Sequence, residues 1–103
     1  MFLSQVEGIT TSAVQKRRVV EVRYSQEDGT LVTHRLEPFD VSPMKYARTG
    51  GLKLWGWCRD TGRIEQYSID RIAGIKPTEE TFDPRVREQT FATPPKYRIY
   101  RDW

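Results

Sequence analysis

The sequence predicts a mainly β domain, with one N-terminal helix ahead of five short antiparallel strands. Three observations carry that expectation. Apolar residues recur at helical spacing near the start, at Leu3, Val6, Ile9, Ala13 and Val14. From Val19 onward the period changes to two. The alternating runs are separated by Asp-Gly and Asp-Thr-Gly, the residues that tight hairpins favour.

The helix is expected over residues 3–17. Ser4 with Glu7 three residues later fits a capping box with Ser4 as the cap. Lys16, Arg17 and Arg18 place cations at the negative end of the helix dipole. The first strand, VVEVRYS, puts Val20, Val22 and Tyr24 on one face and Glu21, Arg23 and Ser25 on the other. Asp28-Gly29 is read as a primed turn, which needs positive φ. The chain returns as LVTHRLEPFDV, where Val32, His34 and Leu36 oppose Leu31, Thr33, Arg35 and Glu37. Pro38 has no N–H for a ladder, so the strand there is at an edge, bulged or ending. Residues 41–51 read as a loop with a proline, two glycines and two cations.

The third strand is GLKLWGWCRD, residues 51–60. Leu52, Leu54, Gly56 and Cys58 are assigned to the core, with Gly56 allowing a sharp bend. Lys53, Trp55, Trp57 and Arg59 take the other face. That face is either covered by the helix or the tail, or it is a bare platform for stacking. RIEQYSI pairs back as the fourth strand, Asp70-Arg71 turns the chain, and Ile72–Pro77 is the fifth. Short strands and tight hairpins fit a small SH3-like or Sm-like antiparallel barrel. Residues 1–82 form this domain; residues 83–103, with three prolines and few aliphatics, form a C-terminal extension in which KYRIY is available as an edge strand.

A chain of 103 residues fits one domain, and 37% apolar content is enough for one modest core. No long apolar run spans a membrane, and the start lacks the charged and apolar regions of a signal peptide. One cysteine cannot close an internal disulfide, which suits a reducing cytoplasm. The formal charge of +3 permits contact with phosphates without demanding it. Catalysis finds little support. The serines lack an activating partner, Cys58 lies in an apolar strand, and no paired carboxylates or phosphate-cradling loop stands out. His34 and Cys58 supply two metal ligands where zinc needs three or four. The expectation is a non-enzyme without metal or other cofactor.

AVQKRRVVEVRY, an Asp-Gly turn, HRLEPFDV and then LKLWGWCRDTGRIEQYSIDRIAGIKPTEETF together resemble the WYL domain of bacterial regulators. The best pieces are Arg35-Leu36-Glu37-Pro38, Ile69-Asp70-Arg71-Ile72 and Phe82, and the likeness runs from about Ile9 to Phe82. The resemblance implies an Sm-like barrel that senses a ligand. Such a domain usually sits beside a DNA-binding helix-turn-helix and tunes transcription, often in DNA-damage or phage-defence circuits. Its proposed ligands, nucleotides or single-stranded nucleic acid, are held by a basic and aromatic pocket. Three departures accompany it. The tripeptide that names the family falls on Leu52-Lys53-Leu54, where only the leucine remains. A family arginine falls near Glu65, with Arg63 two residues away on the same face as a substitute. No helix-turn-helix fits before Ile9, which reads as a stand-alone module or a piece of a complex.

These readings give a candidate ligand site of Arg71, Arg35, Tyr24 and His34, with Lys53 or Arg63 adding charge. Arg71 matches a family arginine and can grip a phosphate or carboxylate with two hydrogen bonds; otherwise it pairs with Asp70 or Glu37. Arg35 is a pocket cation or one half of a cross-strand ion pair. His34 is a half-buried structural residue or a ligand contact, and Tyr24 is a stacking surface or a rim tyrosine. Tyr67 is read as core. Cations and aromatics also alternate in Lys45-Tyr46-Ala47-Arg48 and Lys96-Tyr97-Arg98. The expected function is regulatory binding of a nucleotide or single strand. The alternative is a structural or adaptor barrel that binds itself or a protein through its edge strands and tail.

Overall fold

The computed structural model describes residues 3–43, 51–91 and 96–103. Helix α1 (Leu3–Lys16) is followed by β1 (Arg18–Ser25), β2 (Leu31–Pro43), β3 (Leu52–Cys58) and β4 (Arg63–Ser68). A single 3₁₀ turn, Ile69–Arg71, leads into β5 (Ile72–Thr81), and a short helix α2 (Pro84–Glu88) comes next. α1 buries Val6, Thr10, Ala13 and Val14, which recur at helical spacing along one side. Leu3 is already helical, so Ser4 lies inside the first turn and is not the expected cap. No described helix is long and apolar enough to cross a membrane.

The five strands form one antiparallel sheet in the order β4-β3-β2-β1-β5. It is not a closed barrel: the 3₁₀ turn carries the chain from one edge to the other, and β5 pairs with β1 instead of β4. The sheet is nevertheless strongly curled. Tyr67 on β4 meets Tyr24 on β1, three strands away, with ring centroids 5.1 Å apart. Register shifts in both β1–β5 and β2–β3 supply the bending.

The Asp28-Gly29 turn forms, but only the glycine has positive φ, at 87°. The Gly29 N–H donates to the Gln26 carbonyl and the Gln26 N–H to the Thr30 carbonyl. The loop is therefore longer than a two-residue primed turn.

The sheet has two apolar faces. The inner face and α1 enclose one cluster that includes Val20, Val22, Leu36, Leu54, Cys58 and Tyr67. The outer face carries a second, aromatic cluster built on Val19, Phe39 and Phe82, with Trp55 and Trp57 against it. The β2 bulge shapes this second face. Glu37 pairs with Trp57 and Asp40 with Trp55, so four residues of β2 face three of β3. The extra residue lets Glu37, Phe39 and Asp40 all address the tryptophan side. Pro38, read as an edge, bulge or end, lies at the bulge and is buried in the middle of the sheet.

The chain's own C-terminal residues cover that side. Tyr97 stacks on Trp55 with ring planes 14° apart, Phe91 and Trp103 meet Phe39, and the Arg87 guanidinium lies 4.5 Å over Trp57. The expected cover over the tryptophans is thus the tail and α2. Residues 96–103 contain no strand, although KYRIY was a candidate for one; they are held by side chains instead. α2 is unforeseen, although Asp83 accepts from the Arg85 N–H at 3.0 Å as its cap and Pro84 opens it.

Candidate functional site

Inward-facing positions of three strands converge across the curl. Alternation puts His34 on the side of Leu36, Tyr24 on the side of Val22, and Tyr67 on the side of Arg63 and Glu65. His34 Nδ1 and the Tyr67 hydroxyl are hydrogen-bonded at 3.0 Å, and their rings meet edge-on at 6.1 Å. Tyr24 meets the Tyr67 ring edge-on at 77°. Burial, then the neighbouring Cys58 thiol, pushes the Tyr67 hydroxyl far above the usual tyrosine range. A neutral hydroxyl both donates and accepts, so the imidazole tautomer sets which partner donates in this pair.

Tyr67, read as core from sequence, is 2% exposed and is also the residue that joins Tyr24 to His34. Only the curl of the sheet reveals this, because strand alternation does not report contacts between strands three apart. Replacing Tyr67 by phenylalanine is expected to lower stability by about 1 kcal/mol while keeping the fold. Urea midpoints with unchanged far-ultraviolet circular dichroism check it.

Arg71 ends the 3₁₀ turn beside Ile72, the ladder partner of Tyr24, so it lies at the same end of β1 as the aromatic group. It is exposed, and among the described residues it makes no ion pair with Asp70 or Glu37. Arg63 shares the inward side of β4 and is bound to Glu65. That pair sets a cation and an acid on the Tyr67 side of β4.

Two candidates lie elsewhere. Arg35 faces away from His34 and holds Asp60: its backbone N–H reaches Oδ2 at 2.6 Å and its guanidinium Oδ1 at 3.4 Å. The Arg35 backbone N–H, then the Arg35 charge, holds the Asp60 carboxyl below the usual carboxylate range. Lys53 lies on the tryptophan side and donates to Gln66 Oε1 at 3.1 Å. Glu37, an alternative partner for Arg71, is instead gripped by Arg59 at 3.0 Å and Arg87 at 3.2 Å. Lys45-Tyr46-Ala47-Arg48 lies outside the described residues. Among the described residues no group of three or more His, Cys, Asp or Glu is placed to hold a metal ion.

A family model, the WYL domain, matches residues 8–77. No curated protein matches. Among solved structures, proteasome accessory factor B/C (PafBC) of Arthrobacter aurescens is similar, with a TM-score of 0.68 at 14% identity. The superposition covers 91% of this chain and 14% of that one, so this chain spans a small part of the length of its structural neighbour. At that identity the likeness is one of fold. The family match spans β1, β2 and β4, which build the aromatic group, and the 3₁₀ turn, and with more than half of its length matched the chain belongs to the WYL domain family.

Proposed function

We propose that this domain is a regulatory ligand-sensing module that carries out no reaction of its own and binds a nucleotide or a short single strand. The observation that carries the reading is the Tyr24–Tyr67–His34 group with an exposed arginine, Arg71, at the same end of β1. Aromatic faces accept bases without regard to sequence, and a guanidinium supplies paired hydrogen bonds to phosphate. WYL membership supports the sensing role. In this reading Arg71 binds the charge, Tyr24 stacks and the His34 imidazole contacts a polar edge, while Arg63 is held by Glu65. Arg35 and Lys53 act in structure, since each already holds a partner.

Titration of labelled oligonucleotides and nucleotides at low salt tests it. Wild type is expected to bind with an affinity that falls as salt rises. Arg71→Ala is expected to weaken binding about tenfold to a hundredfold, the worth of a charged hydrogen bond, while Lys53→Ala leaves it unchanged. Wild type that binds nothing at low salt would sink the reading. An adaptor role is the second reading, favoured by the two open sheet edges, β4 and β5. It predicts a dimer mass for the full chain by light scattering.

A further inference from the structure

Residues 84–103 carry five cations, Arg85, Arg87, Lys96, Arg98 and Arg101, against two acids, Glu88 and Asp102. The rest of the chain has twelve of each, so the whole formal charge of +3 resides in this C-terminal stretch. The surface beneath it is built from buried acids. Asp40 is fully buried and accepts the backbone N–H of Arg98 at 2.6 Å and of Ile99 at 3.0 Å. The Arg101 guanidinium lies 3.4 Å from the same carboxylate, 3.7 Å over the Tyr97 ring and 4.5 Å over Trp103. Tyr97 rests on Trp55, and Trp103 Nε1 donates to the Val14 carbonyl at 2.9 Å.

This is how a protein reads a peptide. A carboxylate captures consecutive backbone amides, a charge is clamped between rings, and aromatic anchors fill an apolar floor. No ladder ties residues 96–103 to the sheet. Release also returns Arg101 and Asp40 to water, which offsets much of the attraction lost. Specific contacts without a strand ladder define a segment that can exchange.

We propose that the outer face, with Asp40, Phe39 and Trp55 at its centre, is a docking groove for an arginine–aromatic peptide segment. It takes residues 97–103 of its own chain in cis and the same segment of a second copy in trans. The cis segment competes at an effective concentration of about millimolar, so trans occupancy shows when the cis segment is weakened or copies are held together.

The test uses the full chain and a fluorescent peptide of residues 96–103, KYRIYRDW. The Arg101→Ala chain keeps Asp40 but weakens its own segment. It is expected to bind the wild-type peptide at least tenfold more tightly than the wild-type chain does. A peptide carrying Arg101→Ala is expected to bind that chain at least tenfold more weakly. A folded Arg101→Ala chain with no gain over wild type, or equal binding of the two peptides, overturns the proposal. If the Arg101→Ala chain does not fold, a Trp103→Ala chain, which weakens its own segment and keeps both Asp40 and Arg101, takes its place, and equal or absent binding of the two peptides to it overturns the proposal.

Discussion

Replacing Asp40 by alanine is expected to destabilise the chain by about 3–5 kcal/mol, the cost of stranding a buried charge. Three groups lose their partner at once. Arg101, whose side chain is 3% exposed, loses its counter-charge, and the Arg98 and Ile99 amides lose their acceptor. Asparagine is the informative contrast. It keeps one oxygen for an amide and removes the charge, so it recovers part of the loss. A double change of Asp40 and Arg101 to apolar residues removes the charge problem but leaves two amides orphaned, so it does not restore wild-type stability. Urea denaturation followed by tryptophan fluorescence and by circular dichroism separates two outcomes. If the tail detaches first, fluorescence from Trp103 and Trp55 changes before the β signal does, and the transitions no longer coincide. A coincident shift means that the tail and sheet melt together.

Asp40 also marks where sequence reading stopped. Alternation put Leu54 and Cys58 in the core and the two tryptophans on the opposite face, because β3 is regular. β2 is not. Counting by twos through HRLEPFDV sets Asp40 on the side of His34 and Leu36; the bulge turns it to the other side. Pro38 announced an irregularity without saying which kind. The two buried acids then drew their partners from distant chain: Arg87 for Glu37 and Arg101 for Asp40. Nothing local in the sequence pairs positions fifty or sixty apart, so Arg71 was the candidate weighed for Glu37. The same limit hid Tyr67. Its face on β4 was legible, but its meeting with His34 and Tyr24 depends on the total curl of the sheet. The candidate ligand group was therefore readable as a list of residue types and not as a place. The tail was read as a cover for the tryptophans or as an edge strand; it is the cover, and its burial rests on aromatics and paired arginines that the few aliphatics did not announce.

Replacing Gly56 by alanine is expected to cost about 3 kcal/mol or more, although it adds one methyl group. A Cβ at this position would stand 2.1 Å from the Glu37 carbonyl oxygen and 3.0 Å from both Glu37 C and Pro38 Cα. All three obstacles are backbone, so no rotamer change relieves the clash, and β2 and β3 must separate where Pro38 pairs with Gly56. The bend assigned to this glycine from sequence is not its main role, since its φ lies outside the left-handed region; close approach of two strands is. Separation there also moves Glu37, whose carboxylate holds Arg59 and Arg87, so the damage spreads to the outer face. Gly8 supplies the control. A Cβ on Gly8 meets nothing within 4 Å, and the residue lies inside α1. Gly8→Ala is therefore expected to stabilise by roughly 0.5–1 kcal/mol through lower unfolded-state entropy. Opposite shifts in the urea midpoints of the two variants are the expected result. Equal shifts would mean that backbone proximity at the bulge does not constrain β3.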